Sequence, residues 1–113
     1  MTEPTLDPAV FAELEAAAGA DFARELISTF LEEAPVMLAE LRRALAAGNA
    51  DAFRRAAHSL KSNSQTFGAL GLGAMARALE LKGLKGMSDA APLDALDQEY
   101  ARVAATLAVL RDA

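Results

Sequence analysis

The only imidazole in the chain is His58, in the string Arg54-Arg55-Ala56-Ala57-His58-Ser59-Leu60-Lys61-Ser62-Asn63-Ser64-Gln65-Thr66-Phe67-Gly68-Ala69. Wound as an α-helix at about 100° per residue, this stretch puts Phe53, Ala56, Ala57, Leu60, Ser64 and Phe67 along one side, the buried one. Arg54, Arg55, His58, Lys61, Ser62 and Gln65 share the opposite side, because offsets of three, four and seven lie on one helix face. The ring therefore faces water inside a strip of positive charge, available as a base or as a nucleophile.

A histidine general base normally works with a nucleophile or an orienting carboxylate. No Asp or Glu lies three or four residues to either side of His58. No hydrolase site is visible. Nor is there an ATP cradle: Gly68-Ala69-Leu70-Gly71-Leu72-Gly73 lacks a preceding strand and a following Gly-Lys-Ser/Thr, so its glycines are read as serving close helix approach. What remains is the imidazole as a nucleophile towards phosphorus, with nearby cations tolerating the incoming negative charge. Lys61, one turn on, can reach a phosphoryl group carried on the ring. Arg54 and Arg55, one turn back, add positive potential.

Composition narrows the field. A chain of 113 residues has room for one domain spanning residues 1–113 and can bury roughly two-thirds of its unfolded surface, so no staple is needed. The absence of cysteine excludes disulfides, a thiolate nucleophile and a Cys-based zinc site, and a lone histidine excludes a multi-His metal site. About a quarter of the residues are Ala, with Leu next, which favours helix. A net charge of −5 argues against nucleic-acid binding. Residues 1–6 are expected to be a flexible N-terminus without a signal region, and no apolar run approaches the roughly 18 to 20 residues of a membrane span. A cytoplasmic protein is expected.

The elements that must position His58 can be read from caps and periodicity. Asp7-Pro8 starts a short helix that stops at Gly19, with Val10, Phe11 and Leu14 as its apolar side. Asp21 is placed to cap a second helix, whose apolar phase runs from Phe22 through Leu45 to Ala47 across Pro35; one long kinked helix is predicted, with two collinear helices as the alternative. Asn49 caps a third helix over about 50–67. A fourth spans roughly 70–84, with Leu72, Met75, Leu79 and Gly83 on one side. Pro92 opens the last, where Leu93, Leu96, Tyr100, Val103, Leu107 and Leu110 repeat at steps of three and four. That repeat reads as an internal bundle seam, or alternatively as a dimerising coiled coil. The prediction is an all-α fold, an antiparallel up-down four-helix bundle with a short additional N-terminal capping helix. Antiparallel pairing then sets His58 level with Met37 or Leu38 on the second helix and Ala78 or Leu79 on the fourth.

The string His58-Ser-Leu60-Lys61-Ser-Asn-Ser64-Gln-Thr-Phe-Gly68-Ala69 resembles the signature of histidine-containing phosphotransfer (HPt) domains: a His, then Leu-Lys-Gly, then small polar residues, then Gly-Ala. The layout is similar to that family across nearly the full chain. The resemblance implies that His58 accepts a phosphoryl group from the Asp of a receiver domain and passes it to another, with Lys61 as electrostatic stabiliser. Leu60, Ser64 and Gly68 then serve the motif structurally. It also implies no cofactor of the chain's own and no metal site. Mg²⁺ and most catalytic groups belong to the receiver, a domain of a response regulator or of a hybrid histidine kinase. A partner surface of Met37, Arg54, Arg55, Gln65 and Arg77 around His58, partly apolar and partly basic, suits a receiver's acidic pocket rim. Two competing readings are a non-phosphorylated helical adaptor using the same patch and a structural dimer built on the last helix. A monomer is expected, and the Met start and helical end suggest a free-standing protein.

Ser62 departs from the signature, where Gly follows the Lys. Its hydroxymethyl group takes up space beside the imidazole, so slower transfer or narrower partner choice is expected. Ser62→Gly should therefore raise the transfer rate to and from a partner receiver in a rapid-quench assay, and unchanged rates would remove the steric role given to Ser62.

Overall fold

Each helix begins and ends where the chain supplies a cap or a backbone break. The computed structural model describes residues 5–87 and 89–113. Helix α1, Pro8–Ala18, starts with Pro in its first turn and with the Asp7 carboxylate accepting from the Ala9 N–H at 2.9 Å. It is followed by α2, Ala20–Ala47; α3, Ala50–Thr66; α4, Leu70–Lys82; and α5, Ala91–Asp112. The Asn49 side chain accepts from the Ala52 N–H at 3.0 Å and caps α3, as its position predicts.

Three local expectations are corrected. Asp21 does not cap α2: Gly19 occupies that position without a side-chain bond, and Asp21 lies in the first turn, 3.5 Å from Arg24. Gly83 is not part of α4's apolar side. It ends the helix at φ +65°, and a single 3-10 turn, Leu84–Gly86, follows. The flexible segment expected over residues 1–6 lies mostly outside the described residues, but Leu6 is buried in the core and the Asp7 N–H donates to the Gly68 carbonyl at 2.8 Å. Helix α2 is uninterrupted across Pro35, which is exposed.

No strand occurs among the described residues, and α2 to α5 form the antiparallel up-down bundle predicted, α2 packing on α3 and α5, and α4 on α3 and α5. Helix α1 lies against α2 and α3. The core comes mostly from the predicted helix sides: Phe30 and Leu41 of α2, Phe53, Ala57 and Leu60 of α3, Leu72 and Leu79 of α4, and Leu93, Leu96, Val103 and Leu107 of α5. Phe22, expected to begin the α2 apolar side, is instead 52% exposed, because the buried face of that helix follows Ala23, Ile27, Phe30 and Ala34. The α5 repeat thus serves as an internal seam. Phe30 packs against Phe67 with the rings tilted and their centroids 5.2 Å apart, and meets Tyr100 edge-on at 6.0 Å. Burial pushes the Tyr100 hydroxyl up. In the first turns of α5, just before Tyr100, Arg42 of α2 donates to Asp94 at 2.8 Å and to Asp97 at 2.5 Å; these two carboxylates, Asp97 first, hold its guanidinium above its ordinary pKa.

The turn from α3 to α4 depends on Gly68. Its φ is +76°, a region L side chains avoid, and a Cβ there would lie 2.9 Å from the Asp7 carbonyl oxygen and 3.0 Å from Val10 Cβ. Gly48, at φ +68°, has nothing within 4 Å of the same added atom. Gly68→Ala is therefore expected to destabilise by about 2 kcal/mol or more, through strain plus backbone overlap. Gly48→Ala carries the strain alone, about 1 kcal/mol. Urea unfolding midpoints of the two variants should fall in that order.

Candidate functional site

Local bonding keeps α3 wound where its composition is weak. Ser62 to Thr66 are indifferent helix formers, but their side chains turn back onto the helix's own carbonyls. Asn63 donates to the Ser59 carbonyl at 2.8 Å, Ser64 to Leu60 at 2.6 Å and Thr66 to Ser62 at 3.1 Å. Ser64 is fully buried, facing α4, as are the backbone-packing residues Leu60 and Gly68. On α4, Gly73 packs directly on α3, where an added methyl would make ordinary van der Waals contacts, 3.4 Å from Gln65 Cγ and 3.7 Å from both the Lys61 carbonyl oxygen and Ser64 Cβ.

This contact delivers a carboxylate to the imidazole. Glu80 of α4 places Oε2 2.7 Å from His58 Nδ1 and accepts from Lys61 Nζ through Oε1 at 2.8 Å. The imidazole side chain is 57 % exposed, whereas Glu80 and Lys61 are 15 % and 19 % exposed. A charged anchor lies at the surface's inner edge with the ring standing outward from it. The Lys61 ammonium first, and the His58 ring after it, hold the Glu80 carboxyl below the ordinary carboxylate range, against the partial burial that pushes it up. An ionised carboxylate only accepts, so Nδ1 must carry the proton that bonds to it. In the neutral ring the lone pair is then on Nε2, which has no hydrogen bond among the described residues.

The positive strip is largely paired. Asp51, one turn into α3, bonds Arg54 at 2.8 Å and Arg55 at 3.2 Å. Ser62, Gln65 and Arg77 are exposed and Met37 is half-buried. Met37 and Arg55 line a groove between α2 and α3 that reaches Ser59, next to His58. Thus His58 and Lys61 are joined through Glu80, Arg54 and Arg55 through Asp51, and Met37 to Arg55 across the groove. Gln65 and Arg77 make no side-chain hydrogen bond among the described residues. Sequence reasoning missed Glu80 because it searched for carboxylates on the histidine's own helix. The bundle register already set His58 beside Leu79, one residue short.

Helices of this topology presenting one solvent-facing imidazole define an all-helical bundle with an exposed histidine site. The family model for the Hpt domain matches residues 25–106. The crystal structure of histidine-containing phosphotransfer protein B (HptB) from Pseudomonas aeruginosa PAO1 is similar to the chain with a TM-score of 0.89 and 31% sequence identity, over 98% of this chain and 97% of that one. The search of curated proteins gave no match. The chain belongs to the Hpt domain family, whose members are phosphocarriers that work with receiver domains in two-component phosphorelays. No helix among the described residues is long and apolar enough to cross a membrane.

The Glu80 bond makes two linked outcomes measurable. In ¹⁵N spectra of the neutral ring, His58 should be protonated mainly at Nδ1, and Glu80→Ala should abolish that preference. Because the folded carboxyl titrates below its unfolded value of about 4.3, any stability that Glu80 adds over Glu80→Gln is complete above that pH. It is lost as pH falls through the depressed folded pKa. Unfolding curves of the two proteins should converge in acid and separate towards neutrality.

Proposed function

We propose that this chain is a phosphorelay intermediate in which His58 is the phosphoacceptor. The observation that supports this most directly is that the sole histidine of an Hpt-family chain stands out to solvent at mid-helix, with Nδ1 engaged by Glu80 and Nε2 open. In the forward step the Nε2 lone pair attacks the phosphorus of a receiver's aspartyl phosphate. The N–P bond forms as the acyl O–P bond breaks, and the receiver's Asp leaves as a carboxylate. The proton on Nδ1 stays, so the phosphorylated ring becomes cationic, and the Glu80 carboxylate faces that new charge. Transfer to a second receiver reverses the bonds and restores the neutral ring.

Lys61 stabilises the phosphoryl group in this reading. Glu80 uses one of its three N–H donors, and the others remain for phosphate oxygens. Ser62 sets the space beside the ring, and Leu60, Ser64 and Gly68 hold the helix that carries it. Met37, Arg54, Arg55, Gln65 and Arg77 contribute the surrounding partner surface. The chain acts as a monomeric cytoplasmic carrier and a single functional unit. It has no autokinase activity and no cofactor, and it exchanges phosphoryl groups with receivers of response regulators and of a hybrid histidine kinase. Mg²⁺ enters with the receiver.

Incubation with a phosphorylated receiver should give an acid-labile, alkali-stable phosphate on the protein that is absent from His58→Gln. A folded protein that stays unlabelled by every receiver tried, or is labelled equally in His58→Gln, would leave the adaptor reading in its place.

A further inference from the structure

The two walls of the α2–α3 groove differ in charge. Arg55 comes from α3, while α2 contributes Glu32, Glu33 and Glu40 together with one cation, Arg43. Several carboxylates of the chain are paired, as at Asp51, Glu80, Asp94 and Asp97, whereas among the described residues Glu13, Glu15 and Glu25, outside the groove, are not. Among the described residues, Glu32, Glu33 and Glu40 form no ion pair. Glu33, Met37 and Glu40 lie at steps of four and three and so share one face of α2. Beside them Val36 is 54% exposed and stands next to half-buried Met37 in the groove lining. The α2 wall is therefore an acid–apolar–acid stripe, continuous through Arg55 and Ser59 with the face that carries His58.

We infer that this stripe selects among receivers: Val36 and Met37 seat an apolar side chain of the receiver, and Glu33 and Glu40 hold a Lys or Arg flanking it. The inference rests on the phosphotransfer reading above and adds the chemistry of the partner. Apolar anchors supply affinity at a protein interface, whereas rim charges govern the encounter rate and reject like-charged partners. A patch whose α3 side carries cations offset by Asp51 and Glu80, and whose α2 side carries unpaired carboxylates, also has a direction. A receiver docks with its acidic phosphoacceptor pocket over the histidine side and its basic residue over α2, and the reversed orientation opposes charge to like charge at both ends. A receiver with Asp or Glu beside its apolar anchor is excluded.

The test uses a phosphorylated receiver that labels His58, and compares Glu33→Lys with Glu25→Lys. Both change the net charge equally on exposed residues of α2, but Glu25 lies outside the groove. Glu33→Lys should lower the second-order transfer rate at low salt by about tenfold and flatten its salt dependence, while Glu25→Lys stays within about twofold of the unmodified protein. Reversing the receiver's flanking Lys or Arg to Glu should restore transfer to Glu33→Lys. Equal rates and salt dependences for the two variants, both folded by circular dichroism, would overturn the selectivity. Phosphoramidate, a small donor that needs no docking surface, separates the two levels. If it phosphorylates His58 of the unmodified protein while the variants behave alike, only the selectivity falls. If the folded protein takes no phosphate on His58 from phosphoramidate or receiver, the phosphotransfer reading falls, and the selectivity with it.

Discussion

One carboxylate, shared between a histidine and a lysine across two helices, organises the exposed face of this bundle. Glu80 receives the Nδ1 proton of His58 on one oxygen and the Lys61 ammonium on the other. Without it, two donors one turn apart on α3 would face solvent with no acceptor, and the ring could turn either nitrogen outward. With it, the ring has one preferred tautomer and one outward atom. The partial burial of the carboxylate strengthens both bonds, because a shielded charge is less screened by water than an open one. The exposure of the ring leaves its Nε2 edge open to a partner as large as a protein domain.

That arrangement is only as firm as the α3–α4 contact. Ser64 of α3 meets Gly73 of α4 at this contact, and a Glu side chain from α4 spans the distance between the helices with room for two bonds. Gly68 closes the turn between the helices under the Asp7 backbone, which couples the N-terminal segment to the register of the site. The other half of the bundle is fastened differently, by the Phe30, Phe67 and Tyr100 cluster and by Arg42 reaching across to Asp94 and Asp97. Packing thus fixes the bundle along its length, and α3 presents His58 from a rigid mid-helix position instead of a loop.

Much of this was legible in the sequence, for physical reasons. Rotation about a helix axis is set by hydrophobic phase, and the phase around Phe53, Ala57, Leu60 and Ser64 set His58 outward. Helix limits followed from Asp7-Pro8, Asn49 and Pro92, whose side chains act locally. Translation between helices is a different matter. Periodicity places neighbouring helices in register only to within about a turn, and a shift of one or two residues decides whether Ala78, Leu79 or Glu80 meets the imidazole. The Asp51 pairs with Arg54 and Arg55 stand at i,i+3 and i,i+4 and could have been found, but a search centred on His58 passed over them. Asp21 misled because a capping residue type was read without the competing geometry of Gly19, and Gly83 because the apolar phase of α4 was followed onto the glycine that ends it.

The neutralised strip has a consequence for a carrier. A fully cationic surface around the ring would hold a phosphoryl group tightly, and tight holding favours loading at the expense of release. Interactions that stabilise a bound state as much as the transition state do not speed the step out of it. Asp51 offsets the two arginines and Glu80 offsets Lys61, so the potential at the ring stays moderate although the local sequence is basic. Glu80 also gains its full electrostatic effect only when the ring becomes cationic, which is the charge state shared by the phosphorylated ring and the steps leading into and out of it. On the phosphotransfer reading the carboxylate therefore favours loading, where the charge on the ring is being made, and adds nothing to release; the outward step is kept open by the moderate attraction for phosphate that the paired cations leave.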